Sequence, residues 1–405
     1  MIYGYLYGIF VSIMKILVIT PKFPLPDSGA CEKDRMSGIL TLKRLGFEVR
    51  VLAKYFAFQD KNQIDEWGRK HGIAVTLVEY RFKKKAADQS FIKHTNPFHW
   101  DGAANEYSDS VIQNAAEELA EVWKPELVWF DYTYLWPLYK IFKSRNIRIV
   151  TRSINFEPVH FLQEDGISLR NLAKFFPKVL SEIITVIKSE AVLAITPNEE
   201  KIYRILGSRH TSTLPLRGLA SVVESEWIPR DSRPLHVFFM GASYNVHHNR
   251  KAAELILKKI APEVERRAPG DFIFHIMGSK LPEEFASYVV GNVRYDGYVP
   301  DLHAHLRTMD VALVPSLLGA GMQQKIFEPI TLGIPTIVSE RGLAGYPFFN
   351  GKQVLTCHST TDFVENVLRM KDYDLRKKLS IEAKETSAAL FSTQKIDSII
   401  LDALK

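Results

Sequence analysis

The sequence predicts an α/β protein made of two doubly wound, parallel-sheet domains in tandem. Three observations predict it. Short apolar, β-branched runs alternate with helical patterns from Lys15 onward. The alternation pauses once, between Gly207 and Pro234. It then resumes as a second series of comparable length. Runs that are apolar on both faces belong to strands covered by helices on either side, the environment of a parallel sheet. Right-handed crossovers wind each such series into a doubly wound domain.

The elements follow in order. Ile16 to Ile19 is the first buried strand. A Pro- and Gly-rich loop (Pro21 to Gly29) leads into a helix with apolar positions at Met36, Ile39, Leu40 and Leu42. Strands are predicted at Val49 to Leu52, Val75 to Val78, Leu127 to Phe130, Ile147 to Val150 and Val192 to Ile195. Residues 169–190 predict a helix in which Lys174, Lys178 and Lys188 interleave with Phe175, Phe176, Leu180, Ile183, Ile184 and Ile187. A basic amphipathic helix of this kind either packs on its own sheet or lies on a membrane surface. The stretch from Gly207 to Pro234 has few periodic apolar positions and carries Pro215, Gly218, Pro229 and Pro234, so it reads as an interdomain linker. The second series places strands at Val237 to Met240, Phe272 to Met277, Val293 to Tyr295, Val311 to Val314, Thr336 to Val338 and Val354 to Leu355.

Composition narrows the class. A chain of 405 residues is long enough for roughly two to three domains. Hydrophobic residues at 46% exclude a disordered chain. Two cysteines, Cys31 and Cys357, exclude a disulfide framework or a four-cysteine zinc site and favour a reducing compartment. The net charge of +6 is unevenly spread: residues 1–100 hold 16 Lys/Arg against 9 Asp/Glu, and the remainder 36 against 37. A basic first quarter is a solvated surface or meets an anionic membrane, a phosphorylated substrate or nucleic acid. The apolar start, Met1 to Ile13, is shorter than the ~20 residues needed to span a bilayer and lacks a basic n-region and a cleavage site. Residues 1–13 are read as an extension upstream of a natural start at Met14, with an interfacial segment as the alternative.

The chemistry concentrates between Val314 and Glu328. Gly319 and Gly321 let backbone approach a ligand closely. A helix expected to start near Gly321 offers amide groups without internal partners at its positive end, a site for a diphosphate. Lys325, one turn in, adds a full charge, and Glu328 follows on the same face. A carboxylate accepts two bonds from vicinal hydroxyls, as a ribose diol presents them. The spacing therefore suits a nucleoside diphosphate. Elsewhere, Arg152-Ser153-Ile154-Asn155-Phe156-Glu157-Pro158-Val159-His160 follows a strand and ends at a crevice edge, where ligands of open α/β sheets bind. Glu157 or His160 there can orient or deprotonate a hydroxyl. The competing reading makes Asn155 a helix cap with Glu157 in the first turn.

On these residues the chain resembles glycosyltransferase family 4, the group 1 glycosyltransferases of the GT-B fold. The matching elements are Pro315-Ser316, Gly319-x-Gly321, Lys325, Glu328, Gly333-x-Pro335, Gly342 and Gly345. Phe239-Met240-Gly241 to Asn249, Ile276-Met277-Gly278 and Gly297-Tyr298-Val299-Pro300-Asp301-Leu302 resemble other donor-side elements, and Met14 to Val51 resembles the family's opening. The resemblance implies two Rossmann-like domains facing a cleft. Residues 14–215 would bind the acceptor and 216–386 the nucleotide sugar, with a C-terminal helix, 387–405, returning to the first domain. It implies retaining transfer from a nucleoside-diphosphate sugar to a glycan or lipid-linked acceptor, without an obligatory metal or other cofactor. The setting would be cell-surface polysaccharide biosynthesis, cytoplasmic or peripheral on the inner face of the membrane, with no nucleic acid partner. Donor-binding candidates are Gly241, Ser243, Gly278, Val299, Ser316, Gly319, Gly321, Gln323, Gln324, Lys325 and Glu328. Catalytic candidates are Lys325, Glu157 and His160. Gly29, Arg35 and Asn155 are candidates for an acceptor or diphosphate loop.

Two positions depart from the family pattern. Ala320 stands where many members carry a glutamate that touches the donor sugar, as in a branch with Gly-x-Gly in this loop. Ile154 stands where the acceptor loop carries a histidine. These departures keep in view an inactive nucleotide-sugar-binding partner protein; a nucleotide-sugar epimerase is the other alternative, but it needs paired acids and bases at the sugar, and Ala320 argues against it. No metal site is expected: Asp372-Tyr373-Asp374 reads as a helix cap, and His247-His248 and His303-x-His305 lack metal-site spacing and carboxylate company. Lys83 to Lys85 reads as a solvated loop.

Overall fold

The structure is a computed structural model that describes residues 13–27, 29–80, 100–316 and 321–405. The sequence readings at Lys83 to Lys85, Gly319, Ala320 and residues 1–12 lie outside the described residues.

Seven parallel strands form the first sheet: β1 (Lys15–Thr20), β2 (Glu48–Tyr55), β3 (Ala74–Glu79), β4 (Leu127–Phe130), β5 (Arg148–Arg152), β6 (Ala191–Ala194) and β7 (His210–Thr213). Their spatial order is β3-β2-β1-β4-β5-β6-β7. Six form the second: β8 (Leu235–Ser243), β9 (Phe272–Ser279), β10 (Val293–Gly297), β11 (Val311–Val314), β12 (Thr336–Ser339) and β13 (Leu355–Cys357), in the order β10-β9-β8-β11-β12-β13. Both sheets are doubly wound and every pair is parallel. The strand order reverses between β1 and β4 and between β8 and β11. Ligands of such sheets bind at the carboxyl ends of the strands flanking that reversal.

β7 falls inside the stretch whose sequence reads as a linker, Gly207 to Pro234. It is a partly exposed edge strand, pairing only with β6, and carries polar threonines and serine in place of an apolar run. Central strands read differently: β4 and β11 are buried along their whole length.

The helices that shape the site are α1 (Ala30–Arg44), α2 (Glu157–Asp165), α3 (Leu169–Lys188), α4 (Leu219–Val223), α5 (His247–Leu255), α6 (Leu302–Leu306), α7 (Gln324–Leu332), α8 (Tyr373–Phe391) and α9 (Thr393–Leu404). α1 sets Glu32 in its first turn and Lys43 and Arg44 in its last, complementing the helix dipole, and buries Met36, Ile39 and Leu42 against the first sheet. The chain turns at Ser392, and α9 places Ile396, Ile400 and Leu404 in the core of the first domain. Arg44 closes on Asp397 there, and Arg148 Nη1 donates to the Leu404 carbonyl at 2.8 Å.

α3 packs by an unexpected face. Its buried stripe is Pro177, Ser181, Glu182, Thr185 and Val186, so the polar residues go inward. Thr133 Oγ1 and Tyr203 OH donate to the Glu182 carboxyl at 2.9 and 2.8 Å, and Ser181 Oγ donates to Asp101. The side that reads as the apolar face leaves Leu169, Phe176 and Ile187 exposed. Asp372 caps α8, accepting from the amides of Asp374 and Leu375.

The segment between the sheets is tied down by charge. Arg217 pairs with Asp34 at 2.8 Å and Asp131 at 3.2 Å, all three buried. Burial opposes ionisation of Asp34, but the Arg217 and Arg152 charges outweigh it and hold its carboxyl at about 2.

Candidate active site at the interdomain cleft

The loop after β11 is fixed at its base by short polar contacts. Ser339 Oγ donates to the Ser316 carbonyl at 2.6 Å, and Ser316 Oγ donates to Gln323 Oε1 at 2.8 Å. Gly321 has φ +70°, and a Cβ there would lie 2.1 Å from Asn155 Oδ1 and 3.1 Å from the Ile154 carbonyl. Only glycine admits this approach of the two domains. The helix starts later than the sequence suggests. Gln323 is extended (φ −88°, ψ 118°) and caps α7, which begins at Gln324 rather than near Gly321. Left-handed Gly321 and extended Gln323 keep the chain out of helix until that point. Lys325 therefore lies in the first turn, among the amides that have no intrahelical acceptor.

Lys325 is 9% exposed and makes no ion pair among the described residues. Its Nζ donates to Asn249 Oδ1 at 2.8 Å and lies 5.7 Å from the centre of the Phe239 ring. Asn249, in α5, is itself held by its Nδ2 donating to the Ser243 carbonyl at 3.1 Å. Burial pushes the Lys325 ammonium down to about 8, against a weaker pull from Glu164. A cation held near the start of a helix, short of negative charge, is suited to receive an anion.

Glu328 is 1% exposed. Gln324 Nε2, one turn earlier, donates to its Oε2 at 2.5 Å, and His303 Nε2 lies 3.0 Å from its Oε1. The carboxylate contact raises the His303 imidazole above its ordinary range. Glu328, Gln324 and His303 border a pocket of about 290 Å³, closed on the other side by Lys33 and Ser37 of α1 and Gly218 beside α4. Lys325 and Glu328 thus diverge: one reaches toward α5, the other faces the pocket between the domains.

At the ends of β8 and β9 the glycines serve close backbone packing. A Cβ on Gly278 (φ +130°) would sit 1.6 Å from the Gly241 carbonyl oxygen. The ring of buried Tyr244 covers both glycines, and its hydroxyl donates to the Met277 carbonyl at 2.7 Å. Ser243 Oγ accepts from the Asn245 amide at 3.3 Å. Val299 is half-buried on the core of the second domain.

From the first domain, Asn155 meets Gly321 and does not cap a helix. Phe156 takes the cap position of α2, and its amide donates to Glu199 Oε1 at 2.9 Å. Glu157 opens α2, accepts from Tyr132 OH and lies 3.7 Å from Lys178 Nζ. Its amide donates to Glu182 Oε1 at 3.2 Å. Burial pushes Glu182 up to about 8 and Glu199 up to about 7. His160 follows one turn on, its buried Nδ1 without a hydrogen-bond partner among the described residues. One turn further, Glu164 reaches across to His248 of α5, 2.9 Å from its Nδ1, and that bond holds the Glu164 carboxyl down. Gly29 caps α1, and Arg35 lies buried with its guanidinium 6.0 Å from the Tyr132 ring centre.

Gly321, Gln323, Gln324, Lys325, Glu328 and Ser316 are thus brought together, with Asn155 against them. Glu157 and Arg35 instead meet at Tyr132, and Gly29 stands at the start of α1. Sequence reasoning missed Asn249, Glu164, His248 and His303 as members of the constellation. Glu164 carries a usable signal, since it lies four residues after His160 on one helix. Asn249 carries none, because its role comes from packing between α5 and α7.

Residues 234–372 match the family profile described as "Glycosyl transferases group 1". The second domain is that of a group 1 glycosyl transferase. Comparison with solved structures gives the chain the GT-B fold throughout. Sucrose-phosphate synthase from Thermosynechococcus elongatus superposes with TM-score 0.67 at 13% identity, over 96% of this chain and 98% of that one. S. aureus TarM, in a complex with fondaparinux, alpha-GlcNAc-glycerol and UDP, gives 0.68 at 11% identity, over 97% and 100%. A putative UDP-N-acetylglucosamine 2-epimerase from Listeria monocytogenes gives 0.60 at 11% identity, over 97% and 96%. No curated protein matches the sequence.

Proposed function

We propose that the chain is a retaining, metal-independent glycosyltransferase, moving a sugar from a nucleoside-diphosphate sugar to a glycan or lipid-linked acceptor in cell-surface polysaccharide synthesis. The observation that carries this reading is Lys325, a buried ammonium without a counter-ion among the described residues, beside the first amides of α7. The departing diphosphate supplies the missing charge. Because Asn249 already fixes the ammonium, little reorganisation accompanies charge development on the leaving group, and that is where preorganised electrostatics accelerates a reaction. Glu328 exchanges its contacts with Gln324 and His303 for the ribose diol. Glu157 and His160 orient or deprotonate the acceptor hydroxyl. TarM, of the same fold, was crystallised with UDP, which supports a nucleotide donor.

Surface chemistry supports the reading of a peripheral position on the membrane. Exposed Leu169, Leu172 and Phe176 on α3 neighbour Arg170 and Lys174, the pairing of apolar and cationic groups that anionic lipid surfaces attract. No helix among the described residues is long and apolar enough to cross a membrane. The epimerase reading has one observation behind it, the Listeria neighbour, but the profile matched by the second domain favours transfer.

The test is kinetic. Against a panel of nucleoside-diphosphate sugars, Lys325→Ala lowers kcat by about 100-fold, the scale of losing one preorganised donor. Glu328→Ala chiefly weakens nucleotide binding. Adding Mg²⁺ or Mn²⁺ leaves turnover unchanged, and NMR of the product gives the donor's anomeric configuration. Undiminished turnover in both variants refutes the site.

A further inference from the structure

A second group of ligating side chains lies on the other side of α6 from the cleft. His275 of β9, Asp296 of β10 and His305 of α6 place one ligand atom each so that all three lie within 4.8 Å of one another, the one such group among the described residues. Asp296 is the hub. His275 Nδ1 is 2.9 Å from its Oδ2, and His305 Nε2 is 3.0 Å from the same oxygen. The sequence argued against a metal here because His303-x-His305 has no carboxylate nearby in the chain. The fold supplies that carboxylate from β10 and a second imidazole from β9.

We propose that His275 Nδ1, Asp296 and His305 Nε2 bind one divalent cation of the zinc class. Two imidazoles and a carboxylate are the donor set of such ions, whereas calcium and magnesium prefer oxygen alone. Two of the three ligand separations need little change. Ligand atoms around a tetrahedral zinc stand about 3.3 Å apart when its bonds are near 2.0 Å. The two nitrogen–oxygen separations at Asp296 already fall a few tenths short of that. An orienting contact is also present: His236 Nδ1 lies 2.9 Å from His275 Nε2. A ligating histidine ordinarily uses its second nitrogen this way, which fixes the ring and its tautomer. The side chains of His275, Asp296 and His305 are 12%, 18% and 30% exposed, shielded yet open to solvent for loading and for a water ligand. Arg294, two residues before Asp296, turns away to donate to the Gly291 and Val293 carbonyls.

The consequence is a clamp. The ion joins β9 and β10 to α6, and so braces the turn that carries Val299 and the helix that sets His303 on Glu328. His303 and His305 are two residues apart, about 200° around a helix, so one serves the cleft and the other the ion. The proposal stands apart from the transferase reading, and either can fail alone.

Metal-stripped full-length protein is titrated with Co²⁺ and then with Zn²⁺. The expected result is one equivalent of Co²⁺ with the visible ligand-field absorption of a low-coordinate nitrogen–oxygen site, displaced by Zn²⁺, and a raised Tm. His305→Gln, at the most exposed ligand, removes the band and the Tm rise. His236→Gln keeps the stoichiometry but weakens affinity roughly tenfold or more. His358→Gln, on an exposed imidazole elsewhere, changes nothing. If Asp296→Asn fails to fold, His305→Gln still decides. Absence of the band in the natural chain, or its survival in His305→Gln, overturns the proposal.

Discussion

Replacing Lys325 by methionine should make the protein more stable and less able to hold a nucleotide. The ammonium titrates at about 8 in the fold, against 10.5 for an ordinary lysine. With about 1.4 kcal/mol for each tenfold change in protonation, the charged form costs the fold on the order of 3 kcal/mol at pH 7. Methionine fills similar space without that charge. It also leaves Asn249 Oδ1 without its donor, which returns about 1 kcal/mol. The net expectation is a gain of about 2 kcal/mol at pH 7. Between pH 8 and 10.5 the unfolded chain holds the proton that the folded chain has released, so the natural protein gains stability as pH rises through that window. The advantage of Lys325→Met therefore shrinks to nothing, or reverses, by pH 10.5. Urea unfolding of both proteins at pH 7 and pH 10 measures this directly. Nucleoside diphosphate affinity follows the same proton with opposite effect. It falls in the natural protein as pH rises through about 8, and it is weak and flat over that range in Lys325→Met. Equal destabilisation of the variant at both pH values, or an affinity of the natural protein that does not change from pH 7 to 9.5, would refute the reasoning.

Two further outcomes follow from the same interiors. Glu182 titrates at about 8 and Glu199 at about 7 because burial disfavours their charged forms, so the folded chain binds more protons than the unfolded one above the ordinary carboxyl range. Stability then declines as pH rises from about 5 to 8, and urea midpoints of Glu182→Gln should decline less steeply over that window. Gly321→Ala adds a Cβ at φ +70° and 2.1 Å from Asn155 Oδ1. The left-handed backbone alone costs about 1–2 kcal/mol, and the overlap pushes the two domains apart, so kcat should fall more than nucleotide affinity.

Much of this was legible in the chain. Both sheets could be read from runs such as Ile16 to Ile19 and Val311 to Val314, because strands buried on both faces have no polar alternation to confuse them. The core of the site was legible because glycine, lysine and glutamate at fixed spacing have few other uses. What failed to show depended on distant partners. β7 hides because an edge strand needs few apolar residues. α3 reads as an apolar helix turned inward, yet Glu182, Ser181 and Thr185 are drawn in by Tyr203, Asp101 and Thr133 from elsewhere in the fold. The start of α7 moved by three residues because Gly321 takes a left-handed turn against Asn155. Asn249 gains its role only once α5 and α7 pack together.

On this reading the first turn of α7 holds a diphosphate. A crystal structure of the chain with a nucleoside diphosphate tests it most directly. Phosphate oxygens are expected within hydrogen-bond distance of Lys325 Nζ and the amides at the start of α7, with the ribose hydroxyls on Glu328. Nucleotide bound elsewhere, with Lys325 still engaged only by Asn249, would contradict it.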